Sequence, residues 1–286
     1  MRETGGRGAE GGHRGQTRPA CCIFLGHMDL PASIRRFFSR LPPLHELTWL
    51  ILLCAISFGV WGFVSIAEEV TEGDTHEVDE AILMTFRTAG DVSDPIGPGW
   101  MEEVLRDITA LGGMSVLILI TTSVVAYLLL AGRRRTALLI LGAVASGVVL
   151  AFTLKSGYAR PRPDLVPHST RVYTNSFPSA HSMISAVTYL TLGSLLAWQH
   201  KYLRVKVFAF TTAVVLTVLV GVSRVYLGVH WPTDVLAGWS AGFAWALAWW
   251  LLARRLEARG TVDPQAEDAQ AKPPKVAPEP QATSTG

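Results

Sequence analysis

Three short groups of residues in the sequence have the side chains and the spacing to handle an anion. The first runs from Lys155 to Pro163 (KSGYARPRP). Its prolines, Pro161 and Pro163, stop a helix and hold the chain extended, so that Lys155 and Arg162 can converge on one ligand. A guanidinium offers a planar fork to phosphoryl oxygens and an ammonium a compact charge. A basic loop resting on anionic lipid headgroups has the same composition. The second group, Pro178-Ser179-Ala180-His181, stands where an apolar run begins. The first N–H groups of a helix lack intrahelical acceptors and lie at the positive end of its dipole, so Ser179 and Ala180 can offer donors to an anion beside His181. A plain Ser N-cap with an interfacial His fits the same four residues. In the third group Ser223 and Arg224 precede His230, and Asp234 follows it at i+4. Pro232 suits a first helical turn, which sets His230 at a helix mouth with Asp234 about a turn below. A carboxylate there can hold one imidazole nitrogen and leave the other free to attack. A structural ion-pair group or a proton relay at a membrane boundary uses the same residue types.

The elements that must position these groups are apolar. The chain has 286 residues, 49% hydrophobic and only 17% charged, with a formal net charge of +2 and a mean hydropathy of +0.31. A water-soluble domain carries roughly a quarter of its residues as charge, so the excess apolar surface belongs in a bilayer. The near-neutral balance excludes nucleic acid as a partner, which would demand a basic excess. Three cysteines, Cys21, Cys22 and Cys54, have neither a disulfide framework nor metal-ligand spacing.

Six stretches, 47–67, 111–131, 136–154, 179–198, 207–225 and 234–252, each approach the ~20 residues that a helix needs to cross ~30 Å of hydrocarbon. Only helices satisfy their own backbone in lipid, so the expected fold is all-α, a polytopic bundle of six transmembrane helices. Arg35, Arg36 and Arg40, then Arg133–Arg135, then Lys201, Arg204 and Lys206, then Arg254, Arg255 and Arg259 fall on one side of this bundle. Lys and Arg in short loops stay cytosolic, which puts both termini in the cytosol and the loops 68–110, 155–178 and 226–233 outside. The first outside loop is dense in Asp and Glu, with Arg87 and Arg106 as its only Lys or Arg. The second breaks the rule, since Lys155, Arg160, Arg162 and Arg171 are exported, and exported basic charge calls for an anion. Arg160 and Arg171 read better as solvated loop charges.

Within loop 68–110, Val78, Ile82, Leu83 and Phe86, and again Trp100, Val104, Leu105, Ile108 and Leu111, recur at helical spacing. They predict amphipathic segments at the membrane surface, bordering the route of a lipid or capping the bundle. Gly142, Ser146 and Gly147, and the Gly238/Gly242 pair, predict close packing between spans. Trp49, Trp198, Trp249 and Trp250 lie near span ends as interfacial anchors. Residues 1–40 and 260–286 read as disordered cytosolic segments around a membrane domain at 41–259, with Met28 a plausible true start. His13, His27, His45, His76, His168 and His200 have no partners in sequence and are assigned no role.

All three groups fall on the same side of the bundle. Together, Lys155 through Arg162-Pro163, then Pro178-Ser179-Ala180-His181, then Ser223-Arg224 with His230 and Asp234 resemble the three-part signature of the type 2 phosphatidic acid phosphatase (PAP2) superfamily over the last four spans. Ala180 departs from the family, where Gly is commoner, but keeps its backbone N–H. The resemblance implies a membrane lipid phosphatase of the bacterial cytoplasmic membrane, with its site facing the exterior. His230 would be the nucleophile that forms a phosphohistidine, Asp234 its orienting carboxylate, and His181 the acid and then the base. Lys155, Arg162, Ser179, Arg224 and the Ala180 N–H would hold phosphoryl oxygens, with Ser223 a weaker candidate. No metal and no cofactor is implied. Undecaprenyl diphosphate, phosphatidylglycerophosphate and phosphatidate are the substrates such relatives take. A phosphotransferase working through the same His230 intermediate, or a non-catalytic lipid-phosphate binding or transport protein, would carry the same pattern. Because His230 must be neutral to attack and His181 protonated to donate, activity should be bell-shaped in pH.

Overall fold

A computed structural model describes residues 44–163 and 175–258. The expectations for 1–40 and 260–286, for Met28, and for His13, His27, His168 and Arg171 lie outside these residues. In chain order the elements are α1 (Leu44–Glu72), α2 (His76–Met84), β1 (Arg87–Thr88), β2 (Asp91–Pro95), α3 (Gly99–Ala110), α4 (Met114–Leu130), α5 (Arg134–Gly157), α6 (Ala180–Gln199), α7 (Leu203–Tyr226) and α8 (Pro232–Ala258). The described residues from Trp49 onward form one compact unit; of the unit before it, only Leu44–Thr48, the opening of α1, is described.

Helices α1, α5, α6, α7 and α8 are each long and apolar enough to cross a bilayer. Their outward faces carry large apolar side chains, among them Phe58, Trp61 and Phe208, at 69%, 63% and 71% exposure. Such surface has its partner in lipid tails. Helix α6 is the opposite case: residues 182–189 are buried without interruption, and Met183, Ile184 and Tyr189 pack with Leu117, Ala151 and Ala213 from three other helices. The bundle is built around α6.

The second expected span, 111–131, is broken. Helix α4 begins only at Met114 and has 17 residues; together with α3, which meets it at 48°, it is long and apolar enough to count as a sixth candidate crossing. The break has a packing cause. A Cβ on Gly112 would lie 2.3 Å from Val220 and 3.5 Å from the His181 Cβ, so the bare backbone here lets the chain close against α7 and the head of α6. The carbonyl freed at Leu111 accepts a hydrogen bond from Tyr189 Oη at 2.7 Å, which satisfies it away from water.

The small residues do pack spans together. At Gly238 and Gly242 a Cβ would approach the Ser179 carbonyl to 2.8 Å and the Met183 carbonyl to 2.7 Å, so α8 lies directly on the first turns of α6. Gly147 meets Val187 and Trp245, and Gly142 lies under the ring of Trp249. Trp249 is therefore a packing residue rather than an interfacial anchor.

The first loop contains the two expected helices, α2 and α3, with different faces engaged. On α2, Leu83 and Asp79 are buried while Val78 and Ile82 are exposed. Between the helices stands an antiparallel strand pair, β1 with β2, which the periodicity did not predict. It brings Arg87 to the end of α7, where Nη2 donates to the Tyr226 carbonyl at 2.9 Å and complements the negative end of that helix.

Candidate active site

The end of α5, the start of α6, the end of α7 and the start of α8 meet at one end of the bundle. Gly228, at φ 69°, permits the turn between α7 and α8. Bonds from Leu227 N to Ser223 O and from Val229 N to Arg224 O close the end of α7. Pro232 then opens α8, and Asp234 reaches back to the Trp231 N–H at 3.0 Å, the reciprocal half of a capping arrangement. His230 is thereby fixed just outside the helix, 1% exposed, with Asp234 at 0% beneath it.

The His230 ring is held from both sides. Its Nδ1 lies 3.3 Å from Asp234 Oδ2 and 3.4 Å from Ser176 Oγ, while Nε2 lies 3.3 Å from Arg162 Nη1. A carboxylate can only accept and a guanidinium can only donate, so Nδ1 carries the proton and Nε2 the lone pair. Burial first, and then the charges of Arg224, Arg162 and Lys155, push the His230 pKa well below its ordinary value of 6.5. The ring is neutral at pH 7 with its lone pair directed among cations.

Among the described residues, Lys155 and Arg224 are poorly compensated. Lys155 is buried at 6% exposure, and Arg224 Nε is shut off from solvent without an acceptor; among the described residues, Arg224 Nη1 donates only to Thr109 Oγ1, at 3.3 Å. Arg162 Nη1 also donates to the Val229 carbonyl at 2.7 Å. Burying like charges such as Lys155 and Arg224 close together is costly, and an anion of two or more charges would relieve it. Asp234, the carboxylate that holds His230, is already engaged elsewhere.

That engagement was not legible in the sequence, and it corrects the reading of Arg160 as a solvated charge. Arg160 Nη1 donates to Asp234 Oδ1 at 2.7 Å and to Thr233 Oγ1 at 2.8 Å. Its Nη2 donates to Asp79 Oδ2 at 2.6 Å and to Thr75 Oγ1 at 3.1 Å. Asp79, from α2, also accepts from Thr233 N at 2.9 Å and so caps α8 from another element. Ser176 Oγ donates to Asp234 Oδ2, and its backbone N–H to the Arg160 carbonyl at 2.8 Å. Asp79, Arg160 and Ser176 thus join the site. Only the pairing of basic and proline residues around Arg160 gave any sequence signal.

Two of the residues expected at the phosphate have other bonds in the structure. The Ser179 N–H donates to the Asp234 carbonyl at 3.0 Å, so it is not offered to an anion, and Ser179 Oγ accepts from Ser182 as an N-cap. The N–H groups of Ala180 and His181 are left at the helix mouth. Ser223 Oγ donates to Val220 O at 2.7 Å within its own helix and is turned away from that role.

A family model described as the PAP2 superfamily matches residues 136–257. Phosphatidylglycerophosphatase B of Bacillus subtilis is 34% identical over 183 residues, which cover 63% of this chain and 85% of that protein. The chain belongs to the PAP2 superfamily. A second relative by sequence, an undecaprenyl-diphosphatase of Sulfolobus acidocaldarius, is 36% identical over 107 residues, 36% of this chain and 44% of that one. Among solved structures, the crystal structure of a transmembrane PAP2 type phosphatidylglycerolphosphate phosphatase from Bacillus subtilis superposes with a TM-score of 0.58 at 28% identity. It spans 72% of this chain and 96% of that one. The matched PAP2 region contains every residue placed around His230 except Asp79, Thr75 and Thr109.

Proposed function

We propose that this chain is an integral membrane lipid phosphatase that removes phosphate from a lipid phosphate monoester or diphosphate through His230. The observation that carries this is the buried His230–Asp234 pair, whose Nε2 lies beside Arg162 and faces the charges of Lys155 and Arg224. In the first half-reaction Nε2 bonds to phosphorus as the bond from phosphorus to the lipid oxygen breaks, and protonated His181 gives that oxygen its proton. Asp234 stabilises the imidazolium that forms. In the second, His181 takes a proton from water, the hydroxide attacks phosphorus, the P–N bond breaks and inorganic phosphate leaves. Lys155, Arg162, Arg224 and the Ala180 N–H hold the phosphoryl oxygens and supply the charge that a metal supplies elsewhere.

Three basic segments at the opposite end, Arg133–Arg135, Lys201 to Lys206 and Arg254–Arg255, support a topology with that end cytosolic and the catalytic end outside the cytoplasmic membrane. A lipid tail can then remain in the bilayer while its head enters among the cations. The similarity to phosphatidylglycerophosphatase B over most of that protein supports phosphatidylglycerophosphate as a substrate, and the undecaprenyl-diphosphatase similarity supports undecaprenyl diphosphate. The test is phosphate release by detergent-purified protein in EDTA from these two lipids and phosphatidate, beside His230→Ala and His181→Ala. Release without added acceptor, lost in both variants, is the expected result. No release from any of the three by a folded protein would overturn the reading.

A further inference from the structure

A groove opens at the other end of the bundle, between α1, α6, α7 and α8, with a volume of about 560 Å³. That lies within the ~300–1,000 Å³ of sites that take small organic ligands. It is far from the chemistry: Trp198, on its wall, is 17 residues along α6 from His181, or about 25 Å at 1.5 Å per residue. The lining is sorted along the membrane normal. Leu190, Phe210 and Phe243 line it toward the bilayer center, and Lys206 and Arg254 stand where the helices leave it. Trp198 also lines it, and its Nε1–H is closed off from solvent with no acceptor.

The charged side chains that line this groove, Lys206 and Arg254, are both cations. Lys206 has no salt bridge among the described residues, whereas the neighbouring Lys201 and Arg204 lie over the ring of Tyr202 and Arg255 over that of Trp49. Arg254 lies over the Trp250 ring and 4.0 Å from Glu257, near the limit of an ion pair. Two cations above an apolar slot complement a phosphodiester above an acyl chain. Basic pockets between spans bind anionic headgroups for this reason. A zwitterionic lipid would bring its own cation to the same place.

We infer that this groove holds one anionic glycerophospholipid, its phosphodiester between Lys206 and Arg254 and one chain along Phe210 and Phe243, in the leaflet opposite the catalytic end. The site is separate from the one that reads substrate, and its test does not depend on turnover. Full-length protein in detergent is melted with phosphatidylglycerol or with phosphatidylcholine of the same chains, and bound lipid is counted by native mass spectrometry. Phosphatidylglycerol should raise Tm by about 3 °C more than phosphatidylcholine, with one molecule retained per chain. Lys206→Gln with Arg254→Gln should abolish the difference while phosphate release is kept. Leu247→Trp, which fills the groove and leaves both charges, should abolish it too. Arg224→Gln should preserve it. Equal shifts from both lipids, a shift that survives the charge variants, or one lost in Arg224→Gln would overturn the inference, the last by placing the lipid at the catalytic end.

Discussion

Asp79 and Arg160, 81 residues apart in the chain, meet at 2.6 Å in a buried ion pair, and the same guanidinium reaches Asp234 at 2.7 Å. A short helix of the first loop is thereby tied to the carboxylate that orients the candidate nucleophile. Asp79→Asn keeps the volume and removes the charge. It should lower kcat about tenfold or more with little change in KM, because the arrangement of Asp234 changes while the phosphate-binding cations remain. A merely structural role would instead lower the yield of folded protein and leave kcat per folded molecule intact. Asp79→Ala should destabilise the fold by on the order of 3 kcal/mol, the scale for leaving one member of a buried pair alone; thermal melts compare the two.

His230 and His181 should fail differently. His230→Ala should lose at least ~10³-fold in turnover and form no acid-labile phosphoenzyme. His181→Ala should lose about 10²–10⁴-fold on a lipid substrate, but much less on an aryl phosphate whose leaving group needs no proton. Phosphohistidine trapping in rapid-quench samples separates the two, and equal losses on both substrates would contradict the role given to His181.

The pH profile follows from the position of His230. Burial, with Arg224, Arg162 and Lys155, holds its pKa below 6.5. The ring is protonated and inactive only at low pH, and the attacking form is gained as pH rises through that lowered value. The acid limb of kcat/KM should therefore lie below pH 6.5, and Arg224→Gln should move it upward, since one cation disfavouring the imidazolium is gone. An acid limb above pH 7 in the unaltered protein would contradict this geometry.

Cationic side chains, rather than a metal, should carry the charge of the transferred group. Phosphate release should be unchanged by EDTA, and orthovanadate should inhibit. At 100 times its Kd a bound anion should stabilise the protein by about 2.7 kcal/mol, and Arg162→Gln should remove most of that gain. A thermal-shift series with and without vanadate measures it.

Packing of α8 on α6 should be intolerant of any added side chain. Gly238→Ala places a Cβ 2.8 Å from the Ser179 carbonyl and should cost about 1–3 kcal/mol. Activity should fall with it, since Ser179 N–H is bonded to the Asp234 carbonyl.

Much of this molecule is local in sequence and was readable there. A bilayer demands continuous apolar helices, so the five long spans stand close to where hydropathy put them, extended at their ends by polar turns. His230 and Asp234 are i and i+4 across a proline-opened turn, and such pairs meet wherever the turn forms. The sequence also determined that Lys155, His181 and Arg224 would share one end of the bundle, because alternate span ends must. Tertiary structure alone decided what those groups touch. Asp79 is one acid among many in its loop, and only the docking of α2 on the head of α8 selects it. Arg160 and Arg162 are alike in sequence; the first is turned onto Asp79 and Asp234, the second onto His230. The bend at Gly112 depends on Val220 and His181 lying against it. Charged side chains so far apart in the chain cannot choose partners by spacing. They are paired by which helices pack, and by the cost of leaving any of them buried alone.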